Sequence, residues 1–241
     1  MRLSYNKQIA ILVIISFLFI IVIPSITIFA KGEEYRQTIV LDAGHGGYDG
    51  GVKGITSNVK ESTINLALVR LLKGYLESDG YKVILTRDSD IALGNTKRED
   101  MKKRVEIINS SKCILMVSIH VNFYPSKYRR GIQSFFNKGI DEKFATIMQE
   151  NLNITLNYPT LNRNFSALFG DYYILANSKC PATIVETGFI SNPEDEKLLL
   201  DEGYRMKLSY QIFLGIKKYI QTTLVEKQSF STMNCAITYL A

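Results

Sequence analysis

The sequence predicts an α/β domain. Short runs rich in Val and Ile alternate with segments whose apolar residues recur at helical spacing, and the short runs are bounded by Gly, Pro, Asn or Asp. The length of 241 residues leaves room for one such domain of roughly 180 to 200 residues plus extensions. Strands are expected at Thr38 to Leu41, Lys82 to Thr86, Cys113 to Ile119, Ile132 to Phe136 and Ala182 to Glu186.

The chain opens with Arg2 and Lys7, no acid, and then Ile9 to Ala30, whose only polar side chains are Ser16, Ser25 and Thr27. Residues 1–31 therefore read as an export signal or a membrane anchor. Pro24 divides the apolar run and Ala30 sits where a signal could be cut, but Ile28 is a poor match to the small residue expected three positions before a cut. Either way the basic end stays inside, and everything from Lys31 onward is delivered outside the cytoplasm.

Helices are expected at Ser62 to Leu76, with apolar residues at 64, 67, 68, 71, 72, 75 and 76, and at Arg98 to Asn109 and Asp141 to Leu156. Two more are expected at Pro193 to Leu200 and Arg205 to Thr222. Asn192 should cap the first of these, with Pro193 in its first turn and Glu194, Asp195 and Glu196 on the positive end of its dipole. From Val225 to Ala241 no period is visible.

The chain has only two histidines. His45 lies in the glycine-rich turn Ala43-Gly44-His45-Gly46-Gly47 that follows the first strand, and His120 closes the buried run Cys113 to Ile119. Both therefore stand at the carboxyl ends of strands, where open α/β sheets place ligand sites. Two histidines, one carboxylate and an open position for water make a known catalytic zinc arrangement. Glu61 is the candidate carboxylate, because it continues the inward stripe of Ile64, Leu68, Leu71 and Tyr75. It also fits a capping box, Asn58-x-x-Glu61, in which it would only satisfy a backbone N–H. Glu186 closes the apolar strand Ala182 to Val185. An acid there must be paired, lie near a metal, have a raised pKa, or reach solvent as an ordinary strand-end residue.

Other chemistries find less support. The glycine-rich turn has neither G-x-G-x-x-G nor a following Lys-Ser or Lys-Thr. A glycosidase pair of Glu61 and Glu186 would leave both histidines idle. Cys113, Cys180 and Cys235 are odd in number, sit in different contexts and imply no disulfide framework; Cys113 reads as a buried small hydrophobe and Cys180 lacks a helix N-terminus that would activate it. The net charge of +6 includes Arg2 and Lys7; without them 27 basic face 23 acidic residues. No basic stripe interleaved with aromatics supports nucleic-acid binding, and the mild excess suits an anionic surface.

Five segments in order resemble the zinc-dependent N-acetylmuramoyl-L-alanine amidases over about Thr38 to Thr222. They are Leu41-Asp42-Ala43-Gly44-His45-Gly46-Gly47, Lys60-Glu61, Leu85-Thr86-Arg87-Asp88 with Arg104 and Asn109 downstream, Ser118-Ile119-His120-Val121-Asn122, and Val185-Glu186-Thr187-Gly188-Phe189-Ile190-Ser191-Asn192. The resemblance implies zinc ligands at His45, Glu61 and His120, a catalytic glutamate at Glu186, and a twisted, mostly parallel sheet of about six strands with helices on both faces. With the export or anchor segment at residues 1–31, it leaves a catalytic domain at 36–222 and a tail at 223–241 of unknown role. Its substrate is the amide joining peptidoglycan's lactyl group to the stem peptide, outside the cytoplasm in cell wall or spore cortex. Residues 122–136 are most similar to the spore-cortex, germination-specific branch, which implies removal of the whole stem peptide before a deacetylase closes muramic δ-lactam. Many relatives carry Glu where this chain has Gln133. The expected partners are the peptidoglycan strand and an accessory or activating protein. The rival expectation is a wall-binding or regulatory protein on the same fold, with weak or partner-dependent metal loading.

Overall fold

The computed structural model describes residues 37–238. The expected export or anchor segment, residues 1–31, lies outside them. Among the described residues no helix is long and apolar enough to cross a membrane.

The strands are β1 (Thr38–Ala43), β2 (Lys82–Leu85), β3 (Leu115–Asn122), β4 (Gln133–Phe136), β5 (Leu168–Phe169) and β6 (Ala182–Phe189). They form one sheet in the order β2-β1-β3-β6-β4-β5. Every pairing is parallel except that of β4 with β6. The helices are α1 (Glu61–Ser78), α2 (Lys97–Ser110), α3 (Gly139–Leu152), α4 (Tyr158–Leu161), α5 (Tyr173–Asn177), α6 (Pro193–Leu200) and α7 (Glu202–Thr238). The α/β class and the mostly parallel six-stranded sheet are as expected.

Side chains alternate along each strand, so the two sheet faces feed two apolar clusters. Ile39 and Leu41 of β1, Val117 and Ile119 of β3 and Val185 of β6 pack with α1, α3 and α7. Val40, Met116 and Ile184 pack with α2 and α5 on the other side. The same alternation puts Asp42, Ser118, His120 and Glu186 on the α2 and α5 face, at the carboxyl ends of three adjacent strands.

Several elements depart from expectation, among them the short helices α4 and α5, which the sequence does not predict. β5 is two exposed residues, too short to leave a period. The helix expected through Leu156 stops at Leu152 and continues as a π turn, Asn153–Asn157. There Asn153 Oδ1 accepts from Gln149 Nε2 at 3.0 Å, Asn157 Nδ2 at 3.0 Å and the Phe165 N–H at 3.1 Å, a set of bonds between side chains and a loop that apolar spacing cannot report. The last helix does not end at Thr222 but runs to Thr238. Leu224 and Val225, just past the expected end, are exposed.

Asn192 caps α6 as expected, accepting from the N–H groups of Glu194 and Asp195 at 2.9 and 3.0 Å. The acids of that first turn serve a further purpose. Asp195 accepts from Arg130 Nε at 2.8 Å and from the N–H groups of Gly131 and Phe189, while Glu196 binds the Thr56 and Ser57 N–H groups, so α6 anchors two loops and the end of β6.

Candidate metal centre and its cleft

β1 ends at Ala43 and the chain turns at once. His45 has φ 61°, a left-handed conformation unusual for a side chain with a Cβ. Two bonds hold it there: the Gly46 N–H donates to Asp49 O at 2.7 Å, and Arg104 Nη2 donates to His45 O at 2.6 Å. Gly44 permits the close approach of the next strand, since a Cβ there would land on the His120 ring. Gly51, at φ +69°, does the same for Glu61, because its Cβ would meet Oε2 of that carboxylate and the edge of His45.

The two imidazoles meet edge to face, with centroids 5.1 Å apart and planes at 78°. Glu61 stands between them. Its Oε1 is 3.0 Å from His120 Nδ1 and its Oε2 is 3.4 Å from His45 Nε2. The carboxylate also accepts from the Val121 N–H at 3.1 Å, the Val52 N–H at 3.1 Å and Asn65 Nδ2 at 3.3 Å. Glu61 is therefore not the third-position acid of a capping box begun by Asn58, since the N-cap is Lys60. It is the first helical residue, after Lys60, and is buried against the histidines.

Burial would push the Glu61 carboxyl up, but hydrogen bonds and charge from His120 and His45 outweigh it and hold it well below the usual range. Burial pulls both rings down, yet Glu61 raises them, His120 to about 9. One ligating atom from each of the three residues lies within 4.8 Å of the others, so the group could hold a metal ion.

Behind the centre, a second set of residues holds its backbone. Asp42 accepts from Thr86 Oγ1 at 2.6 Å, Ser118 Oγ at 2.6 Å and Arg104 Nη1 at 2.8 Å, all buried. Arg104 also donates to Ala43 O at 2.7 Å and pairs with Asp100 at 2.5 Å. Arg87 donates to the carbonyls of Ala43, Gly44 and Ser62 at 2.8 to 2.9 Å, so its work is to orient the turn. Asp49 contacts His45 Nδ1 at 3.1 Å and fixes that ring from behind. Neither Asp49 nor Asn65 is read as a positioning group in the sequence, although each holds a residue four positions away, His45 and Glu61.

Burial raises the Asp42 carboxyl, but Arg104 and the two hydroxyls more than reverse this and bring it down to about 2. An unfolded Asp titrates near 3.9, so the group stabilises the fold fully above about pH 4 and loses that contribution as pH falls through about 2. Replacing Asp42 with Asn leaves Arg104 buried with one fewer counter-charge and should cost about 3 kcal/mol at neutral pH. Urea unfolding should show this difference narrowing on acidification between about pH 4 and pH 2.

Glu186 lies in register with His120 across the β3–β6 ladder. Its Oε2 is buried and without a hydrogen-bond partner among the described residues. Burial, with Glu61 adding to it and the histidines opposing it, raises its pKa to about 7. The Glu186 side chain, both histidines and Glu61 line one cleft of about 390 Å³, rimmed by Tyr48, Phe123, Tyr172 and Tyr173. Gln133 faces Glu186 in the antiparallel β4–β6 register, but its Nε2 donates to Gln149 Oε1 at 3.2 Å and Ser166 O at 2.5 Å. A glutamate could not make those bonds when ionised.

A family model described as N-acetylmuramoyl-L-alanine amidase matches residues 39–218. The chain is 36% identical over 193 residues to the germination-specific N-acetylmuramoyl-L-alanine amidase of Bacillus subtilis (strain 168), covering 76% of this chain and 79% of that protein. The structure of the CwlD amidase of Clostridioides difficile, in complex with the GerS lipoprotein, matches with a TM-score of 0.72 and 36% identity over 78% of this chain and 100% of that one. The catalytic domain of CwlV, an N-acetylmuramoyl-L-alanine amidase from Bacillus (Paenibacillus) polymyxa var. colistinus, matches with a TM-score of 0.69 and 28% identity, covering 77% and 98%.

Proposed function

The chain belongs to the N-acetylmuramoyl-L-alanine amidase family, and from that premise we propose that it is a zinc hydrolase acting on peptidoglycan outside the cytoplasm. His45, Glu61 and His120 hold the metal and Glu186 moves the protons. The observation that carries this reading is the convergence of three ligating atoms within 4.8 Å of one another, open to the cleft that Glu186 also lines.

The donor set fits zinc: two imidazoles and one carboxylate, with Glu61 shared between the rings and Asp49 steadying His45. Bound there, zinc supplies Lewis acidity that polarises the amide carbonyl and lowers the pKa of water. Glu186 supplies the rest. Its unpartnered Oε2 is free to accept a proton from the attacking water, and a pKa near neutrality lets it hand a proton to the alanine nitrogen as the C–N bond breaks. The lactyl carbon gains a hydroxyl and the alanine amine gains a hydrogen. The aromatic rim of Tyr48, Phe123, Tyr172 and Tyr173 offers apolar faces to a sugar–peptide substrate.

Similarity to a germination-specific amidase supports the spore cortex as the setting, with complete stem peptides removed ahead of δ-lactam formation. Residues 1–31 act as an export signal or anchor and residues 36–222 as the catalytic domain. A lipoprotein complex of a relative supports an accessory protein for this chain as well.

Treating purified peptidoglycan with the enzyme and weighing the fragments tests the reaction. The expected products are stem peptides with a free alanine amine and glycan strands with unsubstituted lactyl carboxylates. New reducing sugar ends with intact lactyl–alanine links would overturn the reading.

A further inference from the structure

Cys113 and Cys180 lie at the strand ends remote from the cleft, both part-buried. Cys113 is in the connection from α2 to β3 and Cys180 in that from α5 to β6. β3 and β6 are parallel neighbours, with Met116 opposite Ala182, so the segments that lead into them run side by side. The Met116 N–H donates to Pro181 O at 2.9 Å. Asn109 on α2 clamps the same two segments: its Nδ2 donates to Asn177 O at 3.0 Å and its Oδ1 accepts from the Lys179 N–H at 2.9 Å. Held between these ties, Cys113 Sγ stands 2.8 Å from Cys180 Sγ. A covalent S–S bond is about 2.05 Å long, so closing it asks for a movement of less than about 1 Å.

We propose that Cys113 and Cys180 form an intrachain disulfide by exchange with a low-molecular-weight disulfide. The Cys113 thiolate attacks one sulfur of RSSR, forms a mixed disulfide and expels RS⁻. The Cys180 thiolate then attacks the Cys113 sulfur and expels the second RS⁻. The two cysteines lose two protons and two electrons, and RSSR is reduced to two RSH. Cys113 is the better first attacker, because the hydrogen bond from Cys180 lowers its pKa while raising that of Cys180.

The bond would join positions 67 residues apart and tie together the α2 and α5 sides of one sheet face. Closing so long a loop constrains the unfolded chain, and for a domain of this size the expected gain is about 10 °C in Tm. Amide hydrolysis does not use the pair, so the inference stands apart from the reading of the cleft.

The test uses the full chain carrying Cys235→Ser, equilibrated with excess oxidised glutathione, alkylated and mapped by mass spectrometry without reduction. The expected result is a linked pair of peptides containing Cys113 and Cys180, with a Tm that falls by about 10 °C on phosphine reduction. A further Cys113→Ser substitution should abolish both the link and the effect of the reductant. Recovery of Cys113 and Cys180 each alkylated, or each carrying glutathione, overturns the proposal.

Discussion

Replacing Glu186 with Gln is expected to lower turnover on peptidoglycan fragments by about 10² to 10⁴-fold, the usual worth of a positioned general acid/base. Gln fills the same space and its side chain is uncharged. Its amide therefore removes a buried ionisable group without opening a cavity, and folding should be preserved or slightly improved. The raised pKa follows from burial and from an oxygen that no described neighbour satisfies. That cost is consistent with a group kept ready for proton transfer rather than for stability. In the wild type, kcat/KM should rise with pH along an acid limb at or below about pH 7, since a cation held by His45, Glu61 and His120 would favour the ionised carboxylate. The Gln variant should lose that limb as well as the rate. Equal rates in the two proteins, or an unchanged acid limb, would remove Glu186 from the reaction.

Replacing His120 with Ala is expected to abolish stoichiometric zinc binding and to reduce hydrolysis by at least about 10³-fold, as a Lewis acid contributes several kcal/mol to charge stabilisation. The wild type, purified without added metal, should carry one zinc by elemental analysis. His120 is the position of choice because both its ring and its backbone are held. Glu61 holds its Nδ1, Gly44 leaves room for its face, and the Thr187 hydroxyl donates to its carbonyl at 2.8 Å. Truncation deletes a ligand and leaves Glu61 with one imidazole in place of two. Chelation of the wild type should give the same loss, reversed by adding zinc back. A metal-free protein that still cleaved peptidoglycan would sink the mechanism.

The legible part of the site was the set of residues that end strands. His45, His120 and Glu186 each follow or close an apolar run, and strand alternation is a local property that a single segment displays. Glu61 was only half legible. Asn58-x-x-Glu61 offered a local explanation, and the choice between cap and ligand depended on a β1 turn and a β3 strand lying on either side of the carboxylate. Asn65 and Arg104 were harder still, because they bond to backbone carbonyls of the distant β1 turn. The acids of α6 show the same limit: their placement beside a helix N-terminus was visible, their bonds to two distant loops were not.

The cysteines mark the boundary most sharply. In the sequence Cys113 and Cys180 stand in unrelated contexts, and nothing local connects them. Their sulfurs meet only because β3 and β6, which are not consecutive in the chain, are neighbours in the sheet. The sequence by itself determined the α/β class, the strand faces and the amidase family, and it marked His45, His120 and Glu186 as strand-end candidates, since these depend on period, residue type and short motifs. Tertiary structure decided which carboxylate oxygen meets which ring, how the His45 turn is held in a left-handed conformation and which thiols touch. Those are matters of strand order and long-range packing, and they arise from pairings between segments dozens of residues apart that no single segment encodes.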